Sequence, residues 1–291
     1  MPEDAERALV QAENAAAGGD PGTAMRLLEP LLDVEPPLVP VHRLYQDLSL
    51  RTGPREPLVE RYRAAAASRP SARSLLLLAR VLPPGEESDS LADRAAELAP
   101  DDPWVHFARG YRDRSRGRLE PAEESFARAL SLDPDFPEAL LEGAEAAYLL
   151  HDEALATERL ERLHSLRPDD RGAMMAFAAV LAERQEFELA EEVLRESLER
   201  RPQDGEVEIA LTSVLIDRER FDEAKSRLDD LAVRFPRSAT VAFNRAVIAE
   251  VHERDYAAAL AFYEQYLALG GEDTLRVSRW MEKIRAGDVP R

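Results

Sequence analysis

The chain has no cysteine, only two lysines (Lys225 and Lys283) and only two asparagines (Asn14 and Asn244). Without cysteine there is no disulfide, no thiolate zinc site and no cysteine nucleophile, and the redox compartment stays undecided. Long apolar runs are missing too. The longest stretch of large apolar residues, Leu75–Leu78, is far too short to span a bilayer. The opening MPEDAERALV lacks the basic segment and apolar run of a secretory signal, so a cytoplasmic protein is expected. Cations are short: 38 Lys and Arg against 57 Asp and Glu leave a net charge of −19, which weighs against nucleic acid as a partner.

The usual apparatus of catalysis is also absent. None of the five histidines (His42, His106, His151, His164, His252) stands three or four residues from another, so no helical metal pair exists. His151-Asp152-Glu153 is the most suggestive cluster, but it falls where a hairpin turn is expected and reads as a solvated turn. Gly18-Gly19 lacks the preceding strand that would make it a phosphate loop. Glutamate pairs such as Glu123-Glu124 and Glu191-Glu192 read as charged outer helix faces. These observations predict a non-catalytic protein with no metal and no cofactor.

Proline, in contrast, is placed with regularity. Pro36, Pro70, Pro100, Pro134, Pro168, Pro202 and Pro236 recur at a spacing of 34 residues, broken once between Pro70 and Pro100. Proline has no N–H to donate and disfavours the α conformation in the residue before it, so each one ends a helix. N-cap residue types follow: Asp101-Asp102, Asp135, Asp169-Asp170, Asp204 and Ser238. Between prolines, apolar residues recur at helical spacing in two runs joined by a short turn. The second runs carry Ala122-Phe126-Ala129, Ala156-Leu160-Leu163, Ala190-Leu194-Ser197 and Ala224-Leu228-Leu231. Steps of four and three residues put each set on one helix face, where a small residue permits close approach and a large one fills the space beyond.

The period divides the chain into repeats 1–36, 37–70, 71–100, 101–134, 135–168, 169–202, 203–236 and 237–271. A single helix over 272–286 follows, with Val277, Trp280, Met281 and Ile284 on one side and Arg276, Arg279, Glu282 and Lys283 on the other. It is expected to cap the array and to end at Gly287. Gly18-Gly19-Asp20 should turn the first hairpin, and Pro30 should disturb its second helix. The third repeat is short. Pro83-Pro84-Gly85 cuts its first helix, Ser88 or Asp89 should restart the second, and Ala92 stands where other repeats have a large residue; if the array has a bend or hinge, this is its place.

Period, turn and side-chain spacing together resemble the tetratricopeptide repeat, whose pattern is W-x-x-L-G-x-x-Y followed by alanine, an aromatic or leucine, alanine and proline. Repeat four carries Trp104, Phe107, Ala108 and Tyr111, then Ala122, Phe126, Ala129 and Pro134, its first four placed two residues early. Repeat six carries Met174, Phe177, Ala178 and Leu181, then Ala190, Leu194, Ser197 and Pro202. The resemblance implies an all-α, superhelical solenoid of about eight helix-turn-helix repeats with a C-terminal capping helix, forming one domain over 1–291.

It also implies a protein-interaction scaffold whose first helices line a concave groove. Carried onto this sequence, the groove positions include Arg43, Arg51, Arg109, Arg112, Leu141, Tyr148, Met175, Ile209, Ile216 and Phe243. Residues 40–80 hold eight arginines against three acids, and residues 109–118 five against one. A partner protein or peptide with an acidic segment and apolar anchors is therefore expected, with no membrane insertion. Lysine and asparagine are too scarce for the family's clamp on chaperone tails. Self-association into a homo-oligomer, or service as the accessory domain of a larger enzyme, are the alternatives.

Overall fold

The computed structural model describes residues 2–17, 19–168 and 170–287. Among them, helices follow one another without a strand. In chain order they are α1 (Glu3–Ala17), α2 (Pro21–Leu28), α3 (Val39–Thr52), α4 (Arg55–Ser68), α5 (Ala72–Val81), α6 (Glu86–Leu98), α7 (Pro103–Ser115), α8 (Leu119–Leu132) and α9 (Pro137–Leu149). The series continues with α10 (Glu153–Leu166), α11 (Arg171–Glu183), α12 (Phe187–Arg200), α13 (Gly205–Asp217), α14 (Phe221–Arg234), α15 (Ala239–Val251), α16 (Tyr256–Ala268) and α17 (Thr274–Ala286). They group into two compact bodies, Met1–Leu150 and His151–Arg291. Within each body a helix packs on its hairpin partner and on the first helix of the next hairpin, the nearest-neighbour stacking of a repeat array.

The prolines set the helix ends. α4, α6, α8, α10, α12 and α14 each stop two residues before the proline of the period. The intervening residue (Arg69, Ala99, Asp133, Arg167, Arg201, Phe235) leaves helical geometry with φ between −127° and −146°, as the following ring demands. Asp102, Asp170, Asp204 and Ser238 then cap the next helix by accepting a backbone N–H with the side chain. Asp169 lies outside the described residues, and so does Gly18. Asp135 is not a cap: Phe136 holds that position in α9, buried, with its ring centroid 4.4 Å from that of Trp104. Apolar packing across the junction replaces the expected side-chain bond.

The turn inside each hairpin is also periodic. Gly117, His151, Gln185, Glu219 and Arg254 all have positive φ, between 54° and 71°. Only the first is glycine, so four turns hold a side chain in left-handed geometry, at about 1–2 kcal/mol each. His151-Asp152-Glu153 belongs to this series, with Asp152 capping α10 by accepting the Leu155 N–H.

The predicted core positions are buried. Ala122, Phe126, Ala129, Ala156, Leu160, Leu163, Ala190, Leu194, Ser197, Ala224, Leu228 and Leu231 are all at most 1% exposed. Gly110 of α7 faces Phe126 so closely that a Cβ there would lie 2.7 Å from the ring. Glu191 corrects the outer-face reading: it is only 5% exposed, whereas Glu192 is exposed. Its carboxylate accepts from Arg195 Nε at 2.6 Å, Arg220 Nη1 at 2.6 Å and Arg218. Burial pushes its carboxyl up, but these three donors outweigh that and hold it below the ordinary glutamate range.

Pro30 acts as anticipated, since α2 gives way at Leu28 to a 3-10 turn over Glu29–Leu31. α6 starts earlier than predicted. Gly85 is its N-cap, and the Ser88 hydroxyl accepts the Gly85 N–H instead of opening the helix itself. At the far end α17 lays Val277, Met281 and Ile284 against Ala246, Ala249, Ala259 and Tyr263. It closes at Gly287 with φ 72°, a left-handed residue beyond the last turn.

Candidate functional site

The third repeat is where the regular packing fails. α5 has ten residues against thirteen in α7, because Leu82-Pro83-Pro84-Gly85 ends it early. In α6, Ala92 occupies the position that Phe126 holds in α8 and Leu160 in α10. A large side chain is therefore missing, and a cleft of about 360 Å³ opens among α3, α5, α6 and α7. Leu76, Leu77, Ala92, Trp104, Phe107 and Ala108 supply its apolar walls.

Charge enters through four arginines, Arg43, Arg80, Arg112 and Arg116. Three have carboxylate partners. Arg80 Nη2 reaches both oxygens of Asp47 at 2.7 and 2.9 Å, and its Nη1 donates to Gln46 Oε1 at 3.0 Å. Arg116 donates to Asp89 at 2.8 Å, and Arg112 lies 3.5 Å from Asp89 and 3.4 Å from Asp93. The Arg116 hydrogen bond, with the Arg116 and Arg112 charges and against the opposing effect of burial, holds Asp89 below the usual carboxylate range.

Arg43 differs. Among the described residues no carboxylate stands within ion-pair distance of it, and its Nη1 is buried without a hydrogen-bond partner. Its guanidinium sits 4.7 Å from the Phe107 ring centroid and 6.0 Å from that of Trp104. Burial, then the nearby Arg80 charge, disfavour its charged form; Glu138, Glu142 and Asp47 act in the opposite sense from farther off. A guanidinium does not lose its proton in a protein, so Arg43 remains a cation held chiefly by aromatic faces.

Of the groove positions read from the sequence, Arg43 and Arg112 come together in this cleft. Arg51 and Arg109 are exposed and do not line it. Leu141 and Tyr148 lie half-buried on α9 of the first body. Met175, Ile209, Ile216 and Phe243 lie half-buried on α11, α13 and α15 of the second. The Phe243 ring belongs to an aromatic group with Tyr263, Tyr266 and Trp280, at 5.9, 5.2 and 6.4 Å. The sequence reading missed Leu76, Leu77, Arg80 and Arg116 as lining residues. Their signal in the sequence is Ala92, a small residue where the other repeats place a large one.

The first body also holds a histidine that does not line the cleft. His42 is buried and shares a 2.9 Å hydrogen bond between its Nδ1 and the Tyr62 hydroxyl. Burial and the Arg61 charge push His42 down to about 4, so it is neutral at pH 7. Among the described residues no helix is long and apolar enough to cross a membrane.

Residues 210–274 match the family model described as tetratricopeptide repeat. No curated protein matches the sequence. Solved structures do resemble the fold. A chain of the APC/C hetero-tetramer Cut9-Hcn1 superposes with a TM-score of 0.68 at 14% identity, over 95% of this chain and 55% of that one. Yeast Tom70 gives 0.53 at 17% identity, over 99% of this chain and 65% of Tom70. This chain thus spans about half to two thirds of their length. YrrB, a TPR protein with an unusual peptide-binding site, gives 0.52 at 18% identity, over 65% of this chain and 96% of YrrB. With its proline period, its buried small–large–small faces, the repeat match at 210–274 and this shared fold, the chain has the fold of tetratricopeptide repeat proteins.

Proposed function

We propose that the protein is a non-catalytic scaffold that binds a peptide segment of a partner protein along its first helices. The observation that carries this reading is the cleft at the third repeat, whose walls come mainly from the first helices α3, α5 and α7. It combines an apolar floor with a few convergent polar groups, the composition of a recognition site. Arg43 and Arg112 contact the partner there, and Leu141 and Tyr148 of α9 extend the surface of the first body. In the second body Met175, Ile209, Ile216 and Phe243 offer further apolar contacts, each half-buried and so able to gain area on binding. YrrB, with its peptide-binding site on the same fold, supports a peptide as the ligand class.

The test is selection from a display library of random twelve-residue peptides against the full chain, followed by hydrogen-exchange mapping of the bound state. Enriched peptides that protect α3, α5 and α7 are the expected result. Enrichment of nothing, or protection confined to second helices, refutes the proposal.

A further inference from the structure

We propose that the cleft at the third repeat is a side-chain pocket for an acidic segment. One bulky apolar side chain of the partner enters the space left by Ala92, between Leu76, Leu77, Trp104 and Phe107, and a neighbouring carboxylate pairs with Arg43. This rests on the scaffold reading above and specifies what the scaffold recognises.

The volume argument comes first. In the repeats where Phe126, Leu160, Leu194 and Leu228 fill this position, each is at most 1% exposed. The third repeat has no such side chain at Ala92, so the partner supplies from outside what the other repeats supply from within. The opening of about 360 Å³ lies at the small end of the range of ligand pockets, roughly 300–1,000 Å³, and suits one large side chain better than an extended small molecule.

Charge selects the neighbour of that side chain. Arg80, Arg112 and Arg116 are matched by Asp47, Asp89 and Asp93, whereas among the described residues no carboxylate lies within ion-pair distance of Arg43, and Glu138, Glu142 and Asp47 act on it from beyond that distance. One cation is thus left for the ligand to answer. A phosphate would bring close to two negative charges toward Asp89 and Asp93 and be repelled by them. A carboxylate brings one. Burial of Arg43 against two aromatic rings keeps water from screening that pair, so it discriminates more sharply than the exposed arginines Arg51 and Arg109.

The experiment uses the peptides selected above, with binding followed by fluorescence anisotropy. Ala92→Phe refills the pocket in register with Phe126. It should leave the helical circular dichroism intact, hold or raise the melting temperature, and weaken the selected peptides at least tenfold. Arg43→Gln should weaken them about tenfold, with Arg43→Lys retaining most of the affinity. Amidating the acidic residue of the peptide should cost the same factor and add nothing on top of Arg43→Gln. In a Trp280→Phe background Trp104 is the one remaining tryptophan, and its emission should shift on binding. Should Ala92→Phe fail to fold, Ala108→Leu closes the pocket from the α7 side.

Peptides that bind Ala92→Phe as tightly as the parent overturn the pocket while leaving the scaffold intact. Selected peptides rich in lysine or arginine overturn the pairing with Arg43. A concentration-dependent dimer abolished by Ala92→Phe would make the occupant a second copy of this chain and overturn the inference. A library that yields no peptide defeats the scaffold reading itself, and this inference with it.

Discussion

Replacing Glu191 by glutamine removes one negative charge from the centre of three guanidinium groups while keeping the side-chain volume. Arg195 and Arg220 each donate to it at 2.6 Å, and Arg218 donates as well. In an enclosed site a hydrogen bond to a charged group nets about 1.5–3 kcal/mol. Here the arginine side chains are 36%, 42% and 25% exposed, so solvent screens part of that and each bond is nearer ~1 kcal/mol. Glutamine retains an acceptor oxygen but turns its NH₂ toward donors. The net loss should be about 2 kcal/mol at pH 7, against less than ~0.5 kcal/mol for Glu192→Gln on the exposed side. The sign of the pH dependence follows from the lowered carboxyl. Its contribution is present above the ordinary glutamate range and is lost as pH falls through the folded-state value. Urea unfolding of parent, Glu191→Gln and Glu192→Gln at pH 7 and again near pH 3 checks both parts. Equal stabilities for the two variants at pH 7, or a Glu191→Gln deficit that persists undiminished in acid, would refute the reasoning.

His42 makes a second pH prediction. Its folded pKa is pushed down to about 4, so its contribution is full above the ordinary histidine value near 6.5 and is lost as pH falls from there toward 4. The loss should reach up to ~3 kcal/mol and be missing from His42→Gln, as measured by urea unfolding across that window. Gly110→Ala should destabilise by about 1–3 kcal/mol in thermal or urea unfolding, because its Cβ would meet the Phe126 ring at 2.7 Å. A chain ending at Gly271 should aggregate in light scattering. It loses Val277 and Met281, each worth roughly 1.5–3 kcal/mol when buried, and uncovers the Tyr263 face.

The fold was largely legible because its rules are local. Proline before an extended residue, aspartate at an N-cap and a four-three apolar step each act within a few residues, and the structure repeats them with little change. The failures are those of interactions distant in sequence. Glu191 reads as surface beside Glu192, and only the arrival of Arg218 and Arg220 from 27 and 29 positions away makes it interior. Asp135 has the right chemistry for a cap, but Trp104 draws Phe136 into that place. The arginine surplus of residues 40–80 and 109–118 is real along the chain and much smaller in space. Arg63, Arg69, Arg73, Arg114 and Arg116 all find carboxylates outside their own stretch. Counting charge in a window could not separate Arg43, which has no carboxylate within ion-pair distance among the described residues, from Arg80, which pairs with Asp47.

A vacancy at Ala92 should invite collapse, since neighbouring side chains gain contacts by closing it. The third repeat resists because its walls are tied before the apolar side chains are consulted. Gln46 of α3 is fully buried and donates from Nε2 to the Leu77 carbonyl of α5 at 2.9 Å. Arg80 fastens the same two helices through Asp47, and Asp89 holds α6 to Arg112 and Arg116 on the other side. Arg73 anchors the start of α5 to the Asp102 cap of α7 at 2.8 Å. Closing the cleft would pull these charged and buried polar groups off their partners, at about 1–3 kcal/mol for each left unsatisfied. α5 meanwhile buries seven of its ten residues, so it has little freedom to tilt inward. The walls of the opening are thus braced by polar contacts that do not involve Ala92, so stability and recognition are separable at that position. A side chain that fills it can strengthen the fold while removing the place where a partner would bind.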